Sequence, residues 1–510
     1  MTSTGKHVAV IGAGAAGLAA TKHLLAEGFL VTVYERKANA GGVWNTAPGN
    51  GNWPSPVYEG LETNVPRTLM TFSDHPWPRN APLFPRSEVV GEYLQSYATT
   101  MPHPENATMK LYTVVSDVRK VTHDYGKWWR VTSQRRSLNG DEEEEAELFH
   151  FVVVAIGNYE KPNVPLSYDI PGWYNAYPGS LIHARDFCKP ESFRNLNVLV
   201  VGNGPSGWDI SGLLAGVAKT VYVSTGRWRP NMSKGSFSKP THKGVPAIAS
   251  LNVSDRSVTF TDGKEYLETE EPIDRIILCT GYVYNLAFIK KGTRHGDVKL
   301  FEGDDKVPDV YEHIFYNDDP TLAFIGLPAK VATFTVVEAQ SAVVARAFAG
   351  RIQLYTKADL DRVQRDEDAK WAQVMAAGKV NAMNFHSFDL TDDNEYVNRL
   401  LAWSMCATLK TIFNNDGQPP PYWCSCLDQA RRETGKIREA FKNEERRQEL
   451  GLTSHRDLGG SLQGPCEKGM KMMFEKALRC RSCFVEEPDT LGSIFSAYCR
   501  SRCFAGSGSS

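Results

Sequence analysis

Three glycines at one spacing, present twice in the chain, carry most of its chemical information. Gly12, Gly14 and Gly17 lie in HVAVIGAGAAGLAA, and Gly202, Gly204 and Gly207 lie in NVLVVGNGPSGWDI. Each G-x-G-x-x-G frame leaves an apolar β-forming run and opens a helix-like segment. Such a turn lets a backbone come close to a pyrophosphate and aims a helix N-terminus at it. The first frame offers Gly12, Ala13, Gly14, Ala15, Ala16 and Gly17 to a dinucleotide; the second offers Gly204, Ser206, Gly207, Trp208 and Asp209. Two dinucleotides held by one chain point to electron transfer between a nicotinamide and a flavin.

The residues after each following strand separate the two ligands. LVTVYE ends in Glu35, followed by Arg36. An acid about 20 residues beyond the glycines can accept hydrogen bonds from both ribose hydroxyls, which suits the free 2′-hydroxyl of FAD. After the second unit no acid follows YV; Ser224, Thr225 and Arg227 stand there instead. Hydroxyls and a guanidinium suit a 2′-phosphate that a carboxylate would repel, so NADPH is expected over NADH. The bland alternative is that RWRPNMSKGSFSKPTHK is a basic surface loop. A nucleic-acid reading of that loop has no motif or basic domain to support it.

The whole-chain numbers set bounds. A chain of 510 residues has room for roughly two to four domains, and 42% hydrophobic with 23% charged residues is ordinary globular usage. A net charge of −2 gives no bulk attraction to nucleic acid or anionic lipid. No apolar run approaches the roughly 18 residues of a membrane span, and MTSTGKHVAVIG enters the first strand without a secretory leader. A soluble cytoplasmic protein is expected, and a homodimer is compatible with the sequence. Of the 10 cysteines, all those from Cys424 onward crowd the C-terminus; without a leader, a disulfide framework is not expected.

The elements that must position these residues follow from patterning. A helix from about Ala16 to Glu27 ends at Gly28, a left-handed cap position. The loop DHPWPRNAPLFPR (Asp74 to Arg86) reads as a cover over a buried cofactor rather than a polyproline ligand. From Lys110 to Val154 antiparallel strands are expected, with NGDEEEEAE as a solvated hairpin tip. Residues from about Pro162 to Asn195 read as connection, RIILCTGY (Arg275 to Tyr282) as the strand closing the second unit, and PTLAFIGLP as the return to the first. A helix is expected near Val336 to Phe348, then charged helical segments to Lys442. The fold class is therefore α/β, with two Rossmann-like dinucleotide-binding domains, the second inserted in the first. The expected boundaries are 1–165 with 286–450 for FAD, 166–285 for NADPH, and 451–510 for a poorly packed Cys-rich extension.

Several motifs together resemble the flavin-containing monooxygenases, especially soluble fungal members. They are YPGSLIHARDF with Tyr177, Gly179, His183 and Phe187; GGVW at Gly41 to Trp44; LETNVP around Asn64; and CTGY at Cys279 to Tyr282. Tyr177 stands where Phe is commoner, Cys279 where Ala is commoner, and Phe187 where the sister Baeyer–Villiger enzymes are expected to have Trp. The resemblance covers about Lys6 to Lys442. It implies a cofactor-contact set that adds Gly42, Val43, Trp44, Thr63, Asn64 and Gln340, with His183 structural and Asn64 the neutral donor beside the flavin. It further implies that NADPH reduces FAD, that oxygen adds to give a hydroperoxide, and that a small nucleophilic nitrogen or sulfur compound takes one oxygen atom. Trp44 as plain core and Asn64 as a turn residue before Pro66 are the blander readings.

Rival readings are a Baeyer–Villiger enzyme, an uncoupled NADPH oxidase, a disulfide reductase and a flavin-bound interaction protein without turnover. A disulfide reductase expects a cysteine pair soon after the first unit, and no cysteine precedes Cys188. Cys480, Cys483, Cys499 and Cys503 have a loose zinc-like spacing, but no fold motif surrounds them. No metal is expected.

Overall fold

The computed structural model describes residues 5–438, apart from 47–52, 79, 125, 137–141, 166–169, 227–241, 263–272, 294–295, 302–305, most of 355–384, 390–391, 408–421, 424 and 436. The basic loop around Arg227 and the Cys-rich extension lie outside the described residues.

HVAVI is β1 (His7–Ile11), and its β-branched and small apolar residues are buried on both faces, as a central parallel strand requires. It pairs in parallel with β2 (Leu30–Tyr34) on one side and β7 (Phe151–Val154) on the other. β3 (Ala107–Lys110) extends the sheet beyond β2, and β21 (Leu322–Phe324) extends it beyond β7. Two short strands, β19 (Val310–Tyr311) and β20 (Phe315–Tyr316), complete seven in the order β19-β20-β21-β7-β1-β2-β3. Strand alternation sends Val8 and Val10 into one core and Ala9 and Ile11 into another. The first core lies under α1 (Ala15–Ala26), α2 (Ser87–Ala98), α5 (Thr333–Phe348) and α6 (Asp392–Met405). The second lies under a sheet containing β4 (Thr113–His123), β5 (Gly126–Arg136) and β6 (Glu142–Phe149), extended by β17 (Ile289–Thr293) and β18 (Gly296–Lys299).

A second parallel sheet is built wholly between residues 181 and 278. Its order is β12 (His242–Val245), β11 (Thr220–Ser224), β10 (Asn197–Val201), β15 (Arg275–Leu278) and β9 (Leu181–His183). α4 (Pro205–Leu214) covers one face; α3 (Ile170–Ala176) and the hairpin of β13 (Ile248–Asn252) and β14 (Ser257–Phe260) cover the other. Both units are Rossmann-like, and the second is inserted in the first.

Three expectations need correction. The five glutamates of NGDEEEEAE do not form a hairpin tip but lie within β6. There Glu142 and Glu143 pair across the strands with Arg136 and Arg135, while Glu145 and Glu147 bind Lys110 Nζ at 2.7 and 2.5 Å. Cross-strand cations make the acidic run compatible with a sheet. The stretch 162–195 is not plain connection: it holds α3, closed by the buried Trp173, and β9, an edge strand too short to show a period. RIILCTGY is broken at Gly281 (φ +84°) into β15 and a two-residue β16 (Tyr282–Val283), which pairs with β8 (Lys161–Pro162).

The loop 72–77 is tied to α5 by one buried acid. Glu338 accepts hydrogen bonds from the Ser73 backbone N–H (2.9 and 3.1 Å to its two oxygens) and from the Ser73 hydroxyl (2.6 Å). Burial pushes its carboxyl up to about 8, with Asp74 adding to the rise, against the opposing pull of Ser73 and Lys22. A folded-state value above the ordinary 4.5 means that the folded chain keeps a proton that the unfolded chain releases between those pH values. The stability it contributes is therefore present at low pH and is lost as pH rises through that window. Relative to Glu338→Gln, the wild type is expected to lose several degrees of Tm between pH 5.5 and 8.5. Parallel Tm–pH curves for the two proteins would refute this titration.

Candidate active site

The first turn is held by backbone contacts that leave no room for a side chain. Gly12 has φ +102°, and a Cβ there would sit 2.6 Å from the Ala155 carbonyl oxygen; a Cβ on Gly17 would sit 1.8 Å from the Gly12 oxygen. Gly14 precedes α1 with no side-chain cap, so the first-turn N–H groups of Ala15, Ala16 and Gly17 face outward from the helix start. Gly42 (φ +58°) packs against Gly14, a Cβ on it falling 2.9 Å from the Gly14 Cα. Glu35 is buried beneath this turn and accepts from Ala13 N–H (2.8 Å) and Lys37 N–H (2.9 Å), one bond per oxygen. Each carboxylate oxygen has capacity for a further donor such as a ribose hydroxyl. Arg36 pairs with Glu160 at 2.5 Å and lies over the Trp53 ring.

A buried lysine fixes the neighbouring loop. Lys37 Nζ donates to Gly42 O (2.9 Å) and Asn45 O (3.2 Å), and burial lowers its pKa to about 8. This clamps the turn Gly42–Trp44 against Gly14, with Val43 and Trp44 half-buried. Thr63 is buried and its hydroxyl has no partner among the described residues; the adjoining Asn64 is exposed. An orphaned hydroxyl beside an accessible amide fits a polar ligand edge better than a packed core.

The second turn repeats the first almost angle for angle. Gly202 has φ +106° with a Cβ 2.5 Å from Cys279 O, and a Cβ on Gly207 would lie 2.0 Å from Gly202 O. Gly204 has φ −78° and ψ −171°, against −78° and −169° at Gly14. A Cβ on Gly204 would meet nothing within 4 Å. Among the described residues nothing demands glycine there, and the turn is exposed at Asn203, Gly204 and Pro205. Trp208 is 47% exposed, and Asp209 accepts from Tyr58 and Arg438. Ser224 is buried, its hydroxyl donating to Pro246 O at 2.8 Å, and the Thr225 N–H bonds Val245 O. Arg227 lies outside the described residues.

The fingerprint histidine is a structural group. Arg185 N–H donates to His183 Nδ1 (3.1 Å), so the ring proton sits on Nε2 and donates to Gly281 O at 3.0 Å. Burial lowers its pKa and keeps the ring neutral. Gln340 is fully buried, accepting from Gly326 N–H (2.8 Å) and donating to Tyr396 OH (2.9 Å). Sequence reading missed Asn158, whose amide donates to Gly326 O (3.0 Å) and Leu327 O (3.3 Å) where β7 and β21 end. The available signal was repetition: AIG at 155–157 follows β7 as CTG at 279–281 follows β15, each carrying the carbonyl that packs on a turn glycine. A small, mostly apolar cleft opens beside Asn158, lined also by Ile156, Tyr284, Leu286, Phe324 and Leu327.

A family model described as flavin-binding monooxygenase-like matches residues 5–238 and 245–398. The chain belongs to that family. Among similar proteins of this flavin-binding monooxygenase family, flavin-containing monooxygenase ustF2 of Aspergillus flavus is 29% identical over 468 residues, 78% of this chain and 91% of that one. Flavin-containing monooxygenase FMO GS-OX3 of Arabidopsis thaliana is 33% identical, covering 79% and 85%. The thiol-specific monooxygenase of Saccharomyces cerevisiae is 32% identical, covering 69% and 79%. The solved S-allyl-L-cysteine S-oxygenase of Allium sativum superposes with a TM-score of 0.70 at 27% identity, over 86% of this chain and 94% of that one. The protein is thus an FAD- and NADPH-dependent monooxygenase acting with molecular oxygen on a small molecule. Among the described residues, no helix is long and apolar enough to cross a membrane, and no cluster of His, Cys, Asp or Glu could hold a metal ion.

Gly204→Ala meets no atom of the described residues, so Tm and flavin content should hold while NADP⁺ affinity falls about tenfold or more. Gly207→Ala, driven into Gly202 O, should lower Tm as well. Unchanged NADP⁺ affinity in Gly204→Ala would remove the second turn from coenzyme binding.

Proposed function

We propose that the first turn holds FAD through Gly12 to Gly17, Glu35 and the Gly42–Trp44 loop, and that the second holds NADPH through Gly204, Ser206, Gly207, Ser224, Thr225 and Arg227. FAD, reduced by NADPH, supplies the chemistry of oxygen activation; the protein supplies position and polarity. The observation that carries this reading is the pairing of the unpartnered Thr63 hydroxyl with the accessible Asn64 amide. Both are neutral. A carboxylate at position 64 would oppose negative charge building on oxygen, whereas an amide N–H stabilises it. Neutral donors offer no nucleophile or base to activate an inert substrate. The substrate must bring its own nucleophile, and we assign this to a sulfur of a thiol or thioether. Support for sulfur comes from two relatives, one named thiol-specific and one an S-oxygenase.

Asn64→Asp is expected to retain FAD yet lose about a hundredfold in product formation, the size of effect seen when one oxyanion donor is removed. NADPH consumption would then appear as hydrogen peroxide. Undiminished oxygenation would remove Asn64 from its role. Against paired thioether and tertiary-amine substrates, kcat/KM is expected to favour sulfur; turnover of the amine alone would overturn that preference.

A further inference from the structure

One carboxylate gathers three distant parts of the chain. Asp209, in α4 of the second unit, accepts from Tyr58 OH at 2.8 Å on one oxygen and from Arg438 Nη2 at 3.1 Å on the other. Tyr58 belongs to the segment leading to Asn64, yet its ring is sunk in the second unit's core, edge-on to Phe187 with centroids 5.3 Å apart. Glu59 N–H adds a bond to Cys188 O at 2.8 Å. Arg438 comes from the other end of the chain. Its guanidinium covers the Trp208 ring at 5.2 Å, and its side chain is 10% exposed.

The segment bearing Arg438 is itself anchored to the first unit. It follows α7 (Ser425–Arg432), which packs on the turn Arg67–Leu69 three residues beyond Asn64. Arg431 donates from Nε to Asp393 Oδ2 at 2.8 Å and from Nη2 to Lys330 O. Asp393 Oδ2 in turn accepts Ala332 N–H (3.0 Å) at the start of α5. Arg438 is therefore tied to the first unit, Tyr58 carries the Asn64 segment into the second unit's core, and both meet on Asp209, two residues from Gly207. A part-buried, doubly bonded carboxylate is a stiffer link than an exposed ion pair.

We propose that Arg438 and Tyr58 are positioning residues that clamp the second turn against the first unit and thereby set the distance for hydride transfer. This rests on the reading that the second turn holds NADPH. Arg438 acts through Asp209 and touches no reacting atom. Small errors of placement cost rate more than affinity, because each dinucleotide still has its own intact turn.

The test mixes the flavin-loaded full-length enzyme with NADPH under anaerobic conditions and follows flavin bleaching. Arg438→Met should lower the limiting rate of reduction about tenfold at saturating NADPH, with NADP⁺ affinity, FAD content and Tm little changed. Arg438→Lys should restore part of that rate, and Arg438→Met combined with Asp209→Asn should fall no further than the worse single variant. Should Arg438→Met lower Tm sharply, Tyr58→Phe keeps the ring in its core and removes only the bond; a drop of about threefold in the limiting rate is expected. An unchanged limiting rate in the folded variant, or a loss confined to NADP⁺ affinity, overturns the proposal. If instead Gly204→Ala leaves NADP⁺ binding intact, the coenzyme reading fails independently of the clamp.

Discussion

The whole arrangement depends on backbone meeting backbone at van der Waals distance twice. At Gly17 and at Gly207 the helix starts against the carbonyl of the turn's own first glycine, closer than any side chain permits. At Gly12 and Gly202 the turn also presses on the end of a third strand, through Ala155 O and Cys279 O. Each turn is thus locked between its helix and a strand more than 70 residues away in sequence. An anion-binding helix start that is rigid before its ligand arrives loses little entropy on binding. The buried apolar strands exist, in this sense, to hold two peptide units still.

Around this frame, charge is used sparingly and at the margins. Glu35 and Lys37 are buried beside the first turn but are spent on backbone groups: one organises Ala13, the other closes Gly42 and Asn45 over it. The Thr63–Asn64 segment offers a hydroxyl and an amide, and the fingerprint histidine is neutral by burial and by its two hydrogen bonds. A monooxygenase whose oxidising power resides in its cofactor needs that economy. Extra acids or bases near the reacting oxygen would hasten proton transfer and waste reduced coenzyme.

How much of this was legible in the residues depended on the range of the forces involved. Both glycine units were readable because strand, turn and helix are contiguous, and local patterning reports local structure. The inserted second domain was readable because the two frames share one chain and YPGSLIHARDF lies between them. β9 was not, since three residues carry no period. The glutamates of β6 were not, because the ion pairs of Glu145 and Glu147 with Lys110 join residues 35 and 37 apart. Asp209 shows the same limit: its place in the glycine frame was plain, but its bonds to Tyr58 and Arg438 span 151 and 229 residues. Arg227 lies outside the described residues, so the hydroxyl-and-guanidinium reading of that loop rests on the sequence.

The point of insertion sets which ends of the two sheets are joined. The chain leaves the first sheet at the carboxyl end of β7 and returns from the second at the carboxyl end of β15. Those ends are where open α/β sheets bind ligands. The outgoing and returning segments then pair with each other: Lys161 with Val283 and Pro162 with Tyr282, reinforced by Asn163 N–H to Gly281 O at 2.9 Å and Asn163 Nδ2 to Thr280 O at 3.1 Å. Gly281 O also receives the His183 proton, so the fingerprint histidine braces this crossing rather than the chemistry. The two sheets are thus joined at their carboxyl ends, the ends at which β1 and β10 run into the glycine turns, through a short paired ribbon.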